Sequence, residues 1–179
     1  GVIHEDAKDR IRGSRDVEGL IPDPTRAEER EGMRLACERY NAVGITSVAD
    51  MSGTPTSIRM LTDADRAGDL TVRTTTVVRP PYWENLDRLF IRTGFGSDRL
   101  KLGPVKSTID GAIASRTAYL SEPYEGRPDD YGKIRKTQEE IDDLLLRAHE
   151  AGYQVALHAN GDRTIRMVMD AFERALDEH

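Results

Sequence analysis

A chain of 179 residues is long enough for one domain with a real core, and its 26 basic against 32 acidic side chains leave a formal charge of −6. That balance excludes nucleic acid as the main partner: phosphate binding needs a concentrated basic surface, and here basic residues are interleaved with acids. The lone cysteine, Cys37, excludes an intrachain disulfide, and no apolar run reaches membrane-spanning length, so a cytoplasmic protein with no membrane partner is expected.

Residues 1–24 are charged and irregular, close on Pro22-Asp23-Pro24, and read as a surface segment. The opening Gly1-Val2-Ile3-His4-Glu5 has no initiator methionine, which reads as an excised or processed piece. Thr25 and Glu28 form a capping box, and Met33, Ala36, Cys37 and Tyr40 share one face of the helix it opens. Asn41 and Gly44 stop that helix, and Ile45–Asp50 reads as a short buried strand. A helix follows over 56–67 with Ile58, Leu61 and Ala64 as its stripe, then a Thr- and Val-rich strand from Leu70 to Val78. Leu86, Leu89 and Phe90 mark a helix near 82–93. Leu100 to Ile109 reads as a strand interrupted by Pro104, which cannot donate to a ladder, so a bulge or a shortened strand is expected there.

Residues 110–136 form a long polar excursion of the kind that is usually functional or mobile. Thr137 and Glu140 make a second capping box, opening a helix lined by Ile141, Leu144, Leu145 and Ala148 and ended by Gly152. Tyr153–His158 reads as the fourth strand, and Ile165, Val168, Met169, Phe172 and Leu176 as the stripe of the last helix. A helix followed by four strand–helix units demands parallel strands with crossover helices. Two α/β architectures satisfy it, an open doubly wound sheet or half of a (β/α)8 barrel.

In either architecture chemistry sits at the C-terminal ends of the strands. Those ends carry Asp50, Arg79, Lys106 with Asp110, and His158 with Asp162. Asp50 serves equally as a turn residue, Asp162 as a helix N-cap, and Arg79 as a surface or ion-pair residue. His158, after Val155-Ala156-Leu157, is either a metal ligand at a strand mouth or a hydrogen-bonded structural histidine. Lys106 is either a reactive amine, able to form a Schiff base or to take up carbon dioxide as a carbamate ligand, or a lysine reaching solvent along its own stem. His4, His149 and His179 make no H-x-H or H-E-x-x-H pair with His158, and there is neither a dinucleotide fingerprint nor a Walker-type loop. Cys37, on an apolar helix face, reads as core.

Three stretches together resemble the YtcJ-like metal-dependent amidohydrolases, amidohydrolase family 3. They are Gly44-Ile45-Thr46-Ser47-Val48 with Asp50; Val105-Lys106, Asp110-Gly111, Ser115-Arg116-Thr117-Ala118 and Glu122-Pro123-Tyr124; and His158-Ala159-Asn160-Gly161-Asp162-Arg163. The resemblance covers nearly the whole chain. It implies that residues 1–179 are an internal fragment of a catalytic (β/α)8 barrel, a partial TIM barrel of about four βα units, with 1–24 at the surface and 110–136 as a long loop. It further implies hydrolysis of amide-like C–N bonds in a small-molecule substrate by metal-activated water. His158 would be a metal ligand and Lys106 a lysine whose carboxylated form can bridge two metals. Asp110, Arg116, Tyr124 and Asp162 would border the substrate pocket. The implied cofactor is a divalent metal, zinc by expectation, one or two ions in the full-length parent.

The sequence departs from the family pattern in lacking an H-x-H on a first strand and the later His and Asp. A catalytic zinc needs about three protein ligands and an open position, so the isolated segment is expected to be inactive. Its open sheet edges are expected to drive self-association. The alternatives are a non-catalytic α/β interaction or regulatory domain, and a Schiff-base lyase using Lys106.

Overall fold

In a computed structural model, residues 20, 22–80 and 82–177 are described; most of the expected surface segment 1–24, together with His4 and His179, lies outside them. The order is α1 (Arg26–Ala42), β1 (Ser47–Asp50), α2 (Pro55–Ala67), β2 (Arg73–Val78), α3 (Trp83–Arg88), β3 (Leu100–Thr108), a 3-10 turn (Ile113–Ser115), α4 (Gln138–Glu150), β4 (Val155–His158) and α5 (Asp162–Asp177). Among the described residues no helix is long and apolar enough to cross a membrane.

Local chemistry sets the helix starts. Thr25, Thr54 and Thr137 each accept from the backbone N–H three residues on, and each box is closed by the side chain there, Glu28, Ser57 and Glu140. Each such cap stabilises its helix by about 1 kcal/mol. The box at Thr54 is masked in the sequence because Ser57 stands where Glu or Gln usually signals it.

The four strands are all parallel and lie in the order β1-β2-β3-β4. A doubly wound sheet reverses its order at a switch point and places helices on both faces. Here every crossover steps the same way, and right-handed crossovers then put all helices on one face. The result is a curled half-barrel, the partial (β/α)8 arrangement.

Pairing and alternation assign the faces. Val78 and Val105 pack with Trp83, Leu144, Ala148 and Tyr153 beneath the middle of the sheet. Ile109 packs with Ile141, Leu145, Val168 and Ala171 on one side, and Val72 with Cys37, Leu61, Ala64 and Leu70 on the other. Val48, Thr74, Thr76, Val78, Val105, Ser107, Val155 and Leu157 therefore face the helices, and their chain neighbours line the concave face.

One irregularity changes that assignment within β3. Thr76 pairs with Leu102 and Val78 with Val105, so two steps on β2 match three on β3. The extra residue lies at Gly103-Pro104. Before it Leu100 and Leu102 turn toward the helices; after it Val105, Ser107 and Ile109 do. The strand keeps its length, so of the two outcomes expected at Pro104 the bulge is the one found. Gly103 is required there, because a Cβ would stand 2.6 Å from Thr75 Cγ2.

Three expectations are corrected. The strand at 45–50 is short but not buried: Ser47 and Ala49 are exposed and Val48 and Asp50 half-buried, as befits an edge strand whose one neighbour in the described sheet is β2. The helix near 82–93 stops at Arg88, because Phe90 turns left-handed at φ 56; Trp83 is its buried residue, while Leu89 and Phe90 are exposed. The stripe of α5 is wider than the surface that covers it: Val168, Ala171 and Ala175 are buried, but Ile165, Met169 and Leu176 are exposed.

Candidate functional site

The bulge puts Lys106 and Thr108 on the concave face. Lys106 pairs with Ala156 and Thr108 with His158, so Lys106 and His158 are diagonal neighbours at adjoining strand ends, two residues apart along the strand direction, about 7 Å by strand geometry. Without the extra residue Lys106 would have turned into the helix layer. Burial, aided by the Arg79 guanidinium, holds the Lys106 ammonium below its usual pKa, and its Nζ donates to the Ser107 carbonyl at 3.1 Å.

His158 closes β4 with a side chain 38% exposed. Its Nε2 is 3.1 Å from the Gly111 carbonyl and 3.1 Å from Asn160 Nδ2, while Nδ2 itself donates to the same carbonyl at 2.9 Å. The carbonyl can accept from the ring only when Nε2 carries the proton, and Nδ1 then holds the lone pair open to a metal. Asn160 was not singled out by sequence reasoning; its place two residues after a strand-ending His was the available signal.

Asp110, expected at the border of the substrate pocket, lies between the end of β3 and the loop before α5. It is 0% exposed. Its Oδ2 accepts from the Gly161 N–H at 2.8 Å, the Thr164 hydroxyl at 2.9 Å and the Tyr119 N–H at 3.1 Å, and its Oδ1 from the Asn160 N–H at 3.1 Å. The carboxylate thus ties the end of β3 to the loop before α5, and its Oδ1 lies 4.0 Å from His158 Nε2. The approach is so close that a Cβ on Gly161 would stand 1.8 Å from the Tyr119 carbonyl oxygen.

The 110–136 loop is held at both ends, by a bridge between Asp110 and Ile134 and by the Arg135 N–H donating to Ile109 O at 2.8 Å. Asp162 opens α5 and accepts from the Ser121 N–H at 3.0 Å and from its hydroxyl, an arrangement that holds its carboxyl below the usual range. Tyr124 donates to Ala118 O at 3.0 Å, and burial raises its phenol. Arg116 is exposed and left-handed, at φ 55 and ψ 41. Asp50 is a strand-ending turn residue on the helix side, accepting from Thr76 Oγ1 at 3.0 Å and the Ser52 N–H at 3.2 Å. It is not brought to Lys106. Cys37 is buried in the core and His149 is exposed on α4.

The chemistry of Lys106 and His158, an amine and a neutral imidazole nitrogen, fits a divalent metal as two members of a ligand set. A catalytic zinc uses about three protein donors, and among the described residues no cluster of three or more His, Cys, Asp or Glu is formed.

The whole chain, residues 1–179, matches the profile of the amidohydrolase family. It is 30% identical over 157 residues to the protein LONG AFTER FAR-RED 3 of Arabidopsis thaliana, covering 82% of this chain and 27% of that one. It is 35% identical over 92 residues to the putative amidohydrolase YtcJ of Bacillus subtilis (strain 168), covering 51% of this chain and 16% of that one. Among solved structures, an uncharacterized metal-dependent hydrolase from Pyrococcus furiosus superposes with a TM-score of 0.80 at 29% identity, over 95% of this chain and 34% of that one. One from Pyrococcus horikoshii superposes with a TM-score of 0.76 at 30% identity, over 84% and 31%. The chain spans 27% or less of the length of these curated relatives. With its parallel half-barrel and its match from end to end, the chain belongs to amidohydrolase family 3.

Proposed function

We propose that this chain supplies the Lys106–His158 part of the active rim of a metal-dependent hydrolase that cleaves amide-like C–N bonds in small molecules. The observation that carries the reading is the β3–β4 register, with Thr108 opposite His158 and Lys106 one diagonal step away on the same face. Membership of the family supports it. A divalent ion, zinc in this proposal, polarises the scissile carbonyl and activates water when bound.

The chain's own residues do the rest. The Gly111 carbonyl orients the His158 ring, and the Asn160 carboxamide holds that carbonyl in place. Lys106, its amine favoured by burial, adds to carbon dioxide with loss of a proton and becomes a carbamate ligand. Asp110 fixes the loop that carries Arg116 and Tyr124, and Asp162 joins that loop to α5, so that these side chains border the substrate. Two ligands do not complete a catalytic site, so the 179-residue chain alone is inactive, and its exposed edge strand and outward α5 stripe favour self-association.

The test uses the longest gene product that contains this segment. His158→Ala and Lys106→Ala should each abolish stoichiometric zinc uptake by calorimetry and lower amide hydrolysis by about 100-fold or more, the usual scale for an essential group. Retention of metal and activity by His158→Ala would make the segment a non-catalytic interaction domain. Borohydride trapping of a carbonyl substrate on Lys106 would make it a Schiff-base lyase. The 179-residue chain should neither bind zinc tightly nor hydrolyse simple amides, and its sedimentation should depend on concentration.

A further inference from the structure

Arg79 is a cation of this rim that the hydrolase reading leaves unused. It follows β2, and its guanidinium spans three segments: Nε donates to Ser52 O at 2.9 Å, Nη2 to Met51 O at 2.9 Å and Nη1 to Thr108 Oγ1 at 3.2 Å. All three acceptors are neutral. The acids nearest along the strand ends are committed elsewhere: Asp50 to Thr76 and the Ser52 N–H, and Asp110 to four donors in full burial. Among the described residues, Arg79 makes no ion pair with a carboxylate.

A guanidinium has five N–H donors, and three are spent. One N–H remains on each of Nη1 and Nη2 to donate to a carboxylate. The fork is already fixed by its three acceptors, so little ordering is left for a ligand to supply. The location is also right. Thr108, which holds Nη1, is the residue paired with His158, and Arg79 is near enough to Lys106 to act on its charge. This concave rim therefore carries the Arg79 guanidinium close to the Lys106 amine, and none of the described carboxylates is paired with Arg79.

We infer that Arg79 is a specificity residue of this site: its guanidinium receives a carboxylate carried by the substrate, so the rim selects amides that bear an anionic group. The cleaved bond rests on the hydrolase reading; the anion preference does not. A neutral analogue of the same shape leaves the guanidinium desolvated without a partner, which costs binding.

The experiment compares succinamate with succinamide on the isotope-labelled 179-residue chain, read by the Arg79 Nε–H and His158 ring signals in NMR at neutral pH and low salt. Succinamate should shift both signals and bind about ten-fold more tightly than succinamide, about 1.4 kcal/mol. In Arg79→Gln the gap should close, and in Arg79→Lys, which keeps a point charge without the fork, it should shrink. The wild-type comparison decides even if Arg79→Gln fails to fold, because it needs no variant. Equal binding of acid and amide, no shift with succinamate, or a gap that survives in folded Arg79→Gln would each overturn the inference. Zinc uptake by the longest gene product reports separately: an acid preference without zinc uptake sinks the hydrolase reading alone, and zinc uptake without an acid preference sinks the role of Arg79 alone.

Discussion

β1 and β3 both end in a polar residue followed by a loop, yet they deliver it to opposite faces. β1 is regular, and its alternation carries Val48 and Asp50 together to the helix side, where Asp50 meets Thr76 and the Ser52 N–H. β3 has the same intrinsic alternation, but the extra residue at Gly103-Pro104 inverts it, so Lys106 and Thr108 emerge on the concave face beside His158. The loops beyond differ in the same sense. The turn after β1 is short and exposed apart from Gly53, whereas the segment after β3 is anchored by a carboxylate with no exposure at all. A single added residue and a single buried acid thus separate a structural strand end from a chemical one.

The largest effect should come from the acids that distinguish the two ends. Asp110→Ala strands the buried Gly161 N–H and Thr164 hydroxyl and the part-buried Tyr119 and Asn160 N–H groups. At about 1–3 kcal/mol per unsatisfied buried group, partly relieved by relaxation, the loss should be about 4 kcal/mol, read from the urea midpoint. Asp50→Ala, whose bonds are solvent-accessible, should cost about 1 kcal/mol or less. Equal costs would remove the contrast.

How much of this was legible follows from the residue types involved. The capping boxes at Thr25 and Thr137, the four strand–helix units and the ends at Lys106 and His158 were readable because each rests on local spacing. The choice of a half-barrel over a doubly wound sheet was not readable from periodicity, since strand order depends on pairing between distant segments. Pro104 announced an irregularity, but its consequence, the inversion of facing, depends on register with β2. Asp110 was placed at a strand end correctly, but a polar residue with full burial cannot be told from an exposed one until its donors are known. Arg79 read as a surface or ion-pair residue because its acceptors are carbonyls and a hydroxyl from β1's loop and β3, invisible in its own neighbourhood.

The inversion itself can be broken at Gly103. In Gly103→Val a Cβ would stand 2.6 Å from Thr75 Cγ2 and 3.2 Å from the Thr76 carbonyl oxygen. The bulge must then shift or reseat, at about 1–3 kcal/mol. The expected result is a lower melting point together with weaker labelling of Lys106 by an acylating agent or by an aldehyde with borohydride, measured by peptide mass spectrometry. A destabilised protein with Lys106 labelled as before would show that the bulge stabilises the strand without setting its facing.

A smaller effect separates Lys106 from ordinary lysines by pH. Its folded-state pKa lies below the unfolded 10.5, through burial first and Arg79 second. Between the lowered value and 10.5 the unfolded chain binds more protons, so stability rises with pH there. The penalty is fully present below the folded pKa and gone above 10.5. Lys106→Met should flatten that slope when urea midpoints are compared from neutral pH to 10.5. An unchanged slope would put the lysine in open solvent.

The smallest change in stability belongs to Arg116, in the loop that β3 has and β1 lacks. Its backbone is left-handed at φ 55, where a side chain costs about 1 kcal/mol and glycine does not. Arg116→Gly relieves that cost but widens the unfolded ensemble, so the net gain should be about 0.5 kcal/mol at most. Strain kept on an exposed residue calls for a use, and such residues gather at functional sites. In the longest gene product, turnover should therefore fall while the melting point holds or rises slightly. Unchanged turnover would leave Arg116 outside the substrate's reach, and the loop's part in the chemistry would then rest on Asp110, Tyr124 and Asp162.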